Sequence, residues 1–418
     1  MFNTIRNAWK IPDLRQKMLF TLSMLIIFRL GSFIPVPGMN VAALSKLIES
    51  GGLIGFFDVI SGGAFKNFAV FAMNITPYIN ATIIMQLLTI AIPRLEALAK
   101  EGEDGRRKIA QYTRYGTVVL ALIQAVALSI GLRSYLLSTD LMSVALVALS
   151  LTAGTAFLMW LGEMINDKGI GNGISLIIFA GIVSRIPVGI NKLYQLYIAK
   201  TTNIFELIAF VIVAVLIIMG VVLIQEGQRR IPVQYAKRVV GRKMYGGQST
   251  HIPLKVNQAG VIPVIFAMSL IAFPSQIAAF FPNSGAHTFF SKYLSWGSPL
   301  HGIIYAILII GFTYFYTAVT FNPIEVANNI KKYGGFIPGI RPGKPTSDFI
   351  TKSLNRITLV GAIFLAFIAI FPIFLMKYTG IQVYFGSTSL LIVVGVAMDF
   401  IKQVEAQMIM RNYQGFLK

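Results

Sequence analysis

The sequence predicts an all-α polytopic membrane protein, and three observations carry that prediction. Of its 418 residues 56% are hydrophobic and only 12% charged, against about 25% charged in an ordinary soluble domain. Mean hydropathy is +0.72. Apolar runs of about 17 to 25 residues, the length a ~30 Å hydrocarbon layer demands of a helix, recur along the whole chain between Gly, Pro and charged residues.

Ten such windows are read as spans: 18–34, 68–92, 115–132, 141–161, 174–190, 204–224, 259–281, 302–321, 357–376 and 387–401. Pro77, Pro263 and Pro274 fall inside three of them and are expected to kink their helices. The first window follows a mildly basic start and lacks a small-residue cleavage site. It is therefore read as a retained span rather than a signal peptide.

The formal charge of +20 is confined to connectors, unlike the basic face of a nucleic-acid binder. With the amino terminus placed inside, the cytoplasmic connectors hold 27 Lys and Arg and the outer ones 8. The positive-inside rule then puts both termini in the cytoplasm. The outer stretch 185–200, with three basic residues, fits this least. Two cytoplasmic connectors stand apart: 226–255 carries seven basic residues and 322–356 carries six. Long connectors are more often functional than filler. Pro, Gly and aromatic residues among the charges point to a shaped docking surface, with a lipid-headgroup-facing loop as the alternative.

Chemistry that needs particular side chains is sparse. The chain has no Cys, which excludes disulfides, thiolate metal sites and a cysteine nucleophile. His251, His287 and His301 fall in or beside connectors without metal-ligand spacing. Arg29, Glu163 and Asp399 lie near predicted span ends, where snorkelling is cheap. The glycines of KGIGNGIS (168–175) read as an inter-helix turn rather than a phosphate cradle. The pattern argues against an enzyme and for no catalytic, metal or cofactor site. It also weakens the alternative of an ion-coupled small-solute secondary transporter, which needs ionisable groups inside the bundle. The spans keep only mild polarity, at Asn74, Thr76, Asn80, Gln86, Gln124 and Asn257. Such amides either bond a neighbouring helix or mark a seam that opens. Between the first two windows lies VISGGAFKNF (59–68), too short and broken to span and apolar on both flanks. Composition alone makes it an external loop.

Several stretches taken together carry a resemblance: FRLGSFIPVPG (28–38), SGGAFKNF (61–68), PYINATIIMQLL (77–88), EGEDGRRKIAQYTRYGT (101–117), WLGEMINDKGIGNGISLIIFAGI (160–182), GQRRIPVQYAKR (227–238), GGQSTHIPLKVNQAGVIPVIFA (246–267), GGFIPGIRPG (334–343) and FGSTSLLIVV (385–394). The ordered set covers nearly the whole chain and resembles the SecY family, channel subunits of the Sec protein translocon. The resemblance implies ten transmembrane helices in two inverted pseudo-symmetric halves of five, around a central hourglass pore. Its parts would be a cytoplasmic segment 1–17, an N-terminal half 18–200 with a plug at 57–68, a C-terminal half 201–405 with docking loops 226–255 and 322–356, and a tail 406–418.

Carried over residue by residue, the resemblance assigns a pore ring to Ile75, Ile79, Ile178, Ile265 and Ile392. Ser61, Gly62, Gly63, Ala64, Phe65, Lys66, Asn67 and Phe68 become the plug, a short half-helix folded into the outer funnel. The glycine pair is expected to supply looseness to a segment that must leave its place. Gln86, Gln124 and Asn257 fall at the lateral gate, between the second and third spans and the seventh and eighth. Lys237, Arg238, Arg242, Lys243 and Arg341 would dock a SecA-type ATPase motor or the ribosome, including its RNA. Small membrane subunits of the SecE and SecG type, signal sequences, nascent polypeptides and membrane lipids complete the implied partners. The implied function is a gated protein-conducting channel of the cytoplasmic membrane, passing unfolded polypeptides across and hydrophobic segments sideways into lipid. Lys66 and Asn74 depart from the small or apolar residues common in the family and are expected to tune the closed seal.

Overall fold

The structure, a computed structural model, describes residues 2–49, 58, 61–138, 140–199, 203–235, 238–240, 243–245, 249–278, 285, 289–290, 293–294, 298–379 and 387–415. Each of the ten predicted windows falls on a helix. In chain order these are α1 (Phe2–Trp9), α2 (Pro12–Gly31), α3 (Val41–Glu49), α4 (Thr76–Ala91), α5 (Pro93–Lys100), α6 (Glu103–Gly131), α7 (Leu141–Lys168), α8 (Gly173–Ile198) and α9 (Ile204–Glu226). After a small β region come α10 (Ile262–Ala278), α11 (Pro299–Thr320), α12 (Pro323–Lys332), α13 (Lys344–Thr379) and α14 (Ser387–Gly415). Among the described residues six helices are long and apolar enough to cross a membrane alone, or seven if α4 and α5 form one bent span.

Prolines punctuate these helices differently from the expectation. Pro77 and Pro263 occupy the second position of α4 and α10 and so begin those helices instead of kinking them. The missing N–H is harmless there and the fixed φ suits a helix start. Pro93 opens α5 after a 100° bend from α4, while Pro187 and Pro274 lie inside their helices. Several helices also outrun their apolar windows. α6 starts at Glu103, with Glu103 and Asp104 in its first turn, where carboxylates favour the helix dipole.

Helix neighbours repeat between the two halves. α2 packs on α7 and α8, and α9 packs correspondingly on α13 and α14; α4–α6, α6–α7 and α7–α8 are matched by α10–α11, α11–α13 and α13–α14. The same packing graph in each set of five is the pseudo-symmetry. The halves meet where α10 packs on α4 and α6, and where α8 packs on α14. α9 is peripheral, with only 6% of its apolar window buried by the rest of this chain. Ser and Thr within the helices mostly bond their own preceding turn, as Thr117 Oγ1 does to the Thr113 carbonyl at 2.8 Å and Thr313 Oγ1 to Ile309 at 2.7 Å. Their hydroxyls are thereby satisfied without a partner helix.

The two basic connectors are one structured unit. β1 (Gln228–Tyr235) pairs antiparallel with β4 (Ser249–Lys255), from Gln228↔Lys255 to Gln234↔Ser249. Between them β2 (Arg238–Val240) and β3 (Lys243–Tyr245) form a second short ladder. A two-residue β5 (Gly335–Phe336) from the other connector adds to the free edge of β1. Ile231, Val233, Leu254, Ile330, Ile337, Ile350 and Leu354 form the core beneath. Much of 322–356 is also helical, in α12 and the first turns of α13. The alternating burial of Arg230, Ile231, Pro232 and Val233 shows why the hairpin forms: one face covers α12 and α13, the other meets water.

Candidate functional site

Five isoleucines meet at the centre of the bundle. Ile75 precedes α4, Ile79 lies in its first turn, Ile178 is on α8, Ile265 on α10 and Ile392 on α14. All five line one cavity together with Asn74, Thr76, Met268, Ser269 and Ala272. The free space is about 20 Å³, room for roughly one water. Each isoleucine is at most 8% exposed. Residues before and after 200 both contribute to this cavity. Sequence reasoning missed Met268, Ser269 and Ala272; they follow Ile265 by three, four and seven residues, on the same face of α10.

The segment before α4 differs from its reading as a short half-helix. Of the expected plug, Asp58 is helical, residues 61–68 form turns, and 57, 59 and 60 lie outside the described residues; a bridge at Ala69 and further turns lead to α4 at Thr76. Gly62 and Gly63 have φ of +66° and +92°, Phe68 +39° and Asn74 +52°. Asn tolerates this left-handed region best after glycine, which accounts for Asn74; a bulky Phe there is strained by about 1–3 kcal/mol. Phe68 is held by burial in a cluster with Val36, Leu44, Phe65, Leu132 and Leu151, and by ladder-like bonds from Val36 N to Phe68 O and Val70 N to Ile34 O, both 2.9 Å.

The glycine pair permits a close approach. A Cβ on Gly62 would lie 2.8 Å from Gly181 Cα, and one on Gly63 would lie 3.0 Å from the Arg185 guanidinium carbon. Gly181 and Arg185 follow Ile178 on α8 by one and two turns, so residues 61–68 stack against α8 beside the waist, on the side away from the β hairpin. On that hairpin side, a cavity of about 150 Å³ is lined by Asn172, Ser175, Gly260, Asp399 and Gln403 among others. Asp399 thus faces a cavity within α14 rather than snorkelling from a helix end. The glycine turn before α8 is a cap: Asn172 Oδ1 accepts from Ser175 N at 3.2 Å and Asn166 Oδ1 from Gly173 N at 2.7 Å. His301 is buried at 2% exposure in the first turn of α11, with Nδ1 3.1 Å from the Leu294 carbonyl, rather than lying in an open connector.

Gln86 on α4 and Gln124 on α6 stand on the helices of the first half that α10 packs against, and Asn257 lies just before α10. Gln86 Oε1, Gln124 Nε2 and Asn257 Oδ1 are buried without a hydrogen-bond partner; Asn257 Nδ2 bonds the Gly260 carbonyl at 2.9 Å. These amides do not bond one another. The seam is therefore apolar packing interrupted by unsatisfied polar atoms, each costing about 1–3 kcal/mol. Of the basic docking candidates, Arg341 is exposed beside β5; Arg238 and Lys243 fall on β2 and β3, and Lys237 and Arg242 lie outside the described residues.

Close backbone contact also ties the segment before α4 to α7. A Cβ on Gly154 would sit 2.0 Å from the Val70 carbonyl oxygen, so Gly154→Ala should push that segment away. The expected loss is about 1–3 kcal/mol, read as a lower melting temperature of the detergent-purified protein.

Known proteins share this arrangement. The SecY family model matches residues 69–401. A protein translocase subunit SecY from Halalkalibacterium halodurans is 52% identical over 431 aligned residues, covering 100% of each chain. Among solved structures, "The structure of a protein conducting channel" aligns with a TM-score of 0.69 at 21% identity, covering 97% of both chains. A second, described as "The plug domain of the SecY protein stablizes the closed state of the translocation channel and maintains a membrane seal", aligns with a TM-score of 0.68 at 22% identity and the same coverage. These likenesses run the length of the chain, through the elements that build the waist and the turns beside it, and the chain belongs to the SecY family.

Proposed function

We propose that this chain is a gated protein-conducting channel that passes unfolded polypeptides through the isoleucine waist and releases hydrophobic segments through the α4/α6–α10 seam. The observation that carries the reading is the ring itself: five isoleucines from both halves, closed around room for about one water. An apolar constriction dewets and offers an ion no ligand. It offers no strong site to any passing side chain either, so varied sequences can slide through, which a solute-binding transporter site would not allow. Residues 61–68 act as the plug on the far side. Segment release into lipid is driven by burying apolar side chains at about 25 cal/mol per Å².

The channel does no catalysis, and a motor or the ribosome supplies the energy. The hairpin, α12 and Arg341 form the docking face, which the charge asymmetry places in the cytoplasm with both termini. The halves divide at 200/201, as the repeated packing graph supports. Small SecE- and SecG-type membrane subunits are expected against the lipid-facing helices.

The absence of native cysteine makes the test direct. An Ile79→Cys channel engaged with a stalled secretory chain carrying one cysteine should form a disulfide adduct. Leu216→Cys, on the lipid-facing α9, should not; equal adducts at both positions, or none at residue 79, would overturn the pore reading. Arg341→Glu is expected to reduce motor-driven translocation at least tenfold while the protein still inserts and folds, measured with inverted vesicles. Normal translocation by that variant would remove Arg341 from the docking role.

A further inference from the structure

Asp58 is a buried carboxylate at 6% exposure, and the isoleucine ring does not use it. Its two oxygens do different work. Oδ1 accepts from the Lys66 backbone N–H at 2.7 Å, closing the plug turn on itself. Oδ2 pairs with the Arg185 guanidinium of α8, both side chains being largely buried. A second arginine arrives from another helix: Arg29, in the last turn of α2, donates from Nη1 to the Gly62 carbonyl at 2.7 Å. Its guanidinium also lies over the Phe33 ring at 5.1 Å. Neither arginine behaves as its position in the sequence implies. Arg29 turns inward instead of snorkelling, and Arg185 is helical and paired instead of belonging to an outer loop.

We infer that Arg29 and Arg185 are positioning residues that latch the plug, Arg185 through Asp58 and Arg29 through the Gly62 carbonyl, and so set the threshold at which the plug leaves the waist. The inference rests on reading residues 61–68 as the plug. Three features support a latch over a merely structural pair. Both arginines come from α2 and α8, which pack on each other and not across the α4/α6–α10 seam. The plug is thus fastened to one half, and the seam can begin to part before the latch breaks. The glycine pair is required by the latch, because a side chain on Gly62 would approach Arg29 Nη1 to 2.9 Å and one on Gly63 would meet the Arg185 guanidinium. Finally, a buried ion pair is two-state in character: removing one partner leaves an uncompensated buried charge, whereas separating both into a water-filled funnel rehydrates each of them.

The test uses the full-length channel in proteoliposomes, reading resting anion leak, with deletion of residues 61–68 as the reference for an unplugged pore. Asp58→Asn and Arg185→Gln should each raise leak about tenfold, a shift of about 1.4 kcal/mol between seated and released plug. The double variant should leak no more than either single, because one interaction is lost only once. Arg185→Lys should stay near the parental leak, an outcome that a general folding defect at this position would not produce. Parental leak in both single variants while the deletion leaks overturns the latch and leaves the plug reading standing. Multiplying effects in the double variant, or an Arg185→Lys variant as leaky as Arg185→Gln, also overturns it. A deletion that does not leak removes the plug reading and the latch together.

Discussion

Replacing Ile79 and Ile265 together with asparagine should raise the resting ion conductance of the reconstituted channel by roughly a hundredfold, about 2.8 kcal/mol at 1.4 kcal/mol per decade. The two residues face the same cavity from α4 and α10, so the pair weakens both halves of the ring at once. The waist now holds about one water's volume, and its apolar walls disfavour even that. Asparagine removes branched methyl groups, widening the gap, and supplies donors and acceptors that stabilise a file of water. Hydration is what an ion needs to cross, because the present lining offers no substitute for its water shell. Planar-bilayer recordings without a translocating chain measure this. A closed, non-conducting double variant that still translocates would mean that the ring is not the seal.

The second large effect concerns the seam. Gln86→Leu combined with Gln124→Leu should make the channel reject weakly hydrophobic signal sequences, lowering their translocation about tenfold while strongly hydrophobic ones pass normally. In the structure Gln86 Oε1 and Gln124 Nε2 are buried without partners, which destabilises the closed seam. Apolar groups of similar size lift that penalty and deepen the closed state relative to the open one. A ligand shifts a two-state equilibrium only by its differential affinity, so a signal must then bring more apolar surface to open the gate. Translocation of a signal series graded in leucine content checks this. A uniform loss across the series, or a gain for weak signals, would contradict the role given to these amides.

The five isoleucines and residues 61–68 stood out in the sequence because they sit in stretches that resemble the family, and the isoleucines line one cavity. The gate amides were legible as isolated polar residues in apolar windows. Their lack of partners was not, because an amide in a window looks the same whether or not the neighbouring helix answers it. Arg29 and Arg185 were misplaced for a related reason. A charge near the end of an apolar window reads as snorkelling or as loop, and only its partner distinguishes the inward case. The partner of Arg29 is the Gly62 carbonyl, 33 residues away, and that of Arg185 is Asp58, 127 residues away. The glycine pair looked like slack; in the fold it is the one place where the backbone comes against Gly181 and both guanidiniums. The sheet uniting 228–235, 249–255 and 335–336 was also missed, since two-residue β5 has no periodicity to read.

By itself, the sequence determined what the membrane demands: how many apolar segments there are, roughly where they begin and end, and which connectors carry the charge. Those properties are local, because a helix in lipid must satisfy its own backbone and present apolar side chains whatever its neighbours are. The tertiary structure alone decided how narrow the cavity at the isoleucines is, which polar atoms at the seam go unanswered, and that one arginine meets Asp58 while another meets the Gly62 carbonyl. Each of these is a relation between residues far apart in the chain, and only the packing of one helix on another brings such residues within a few ångströms.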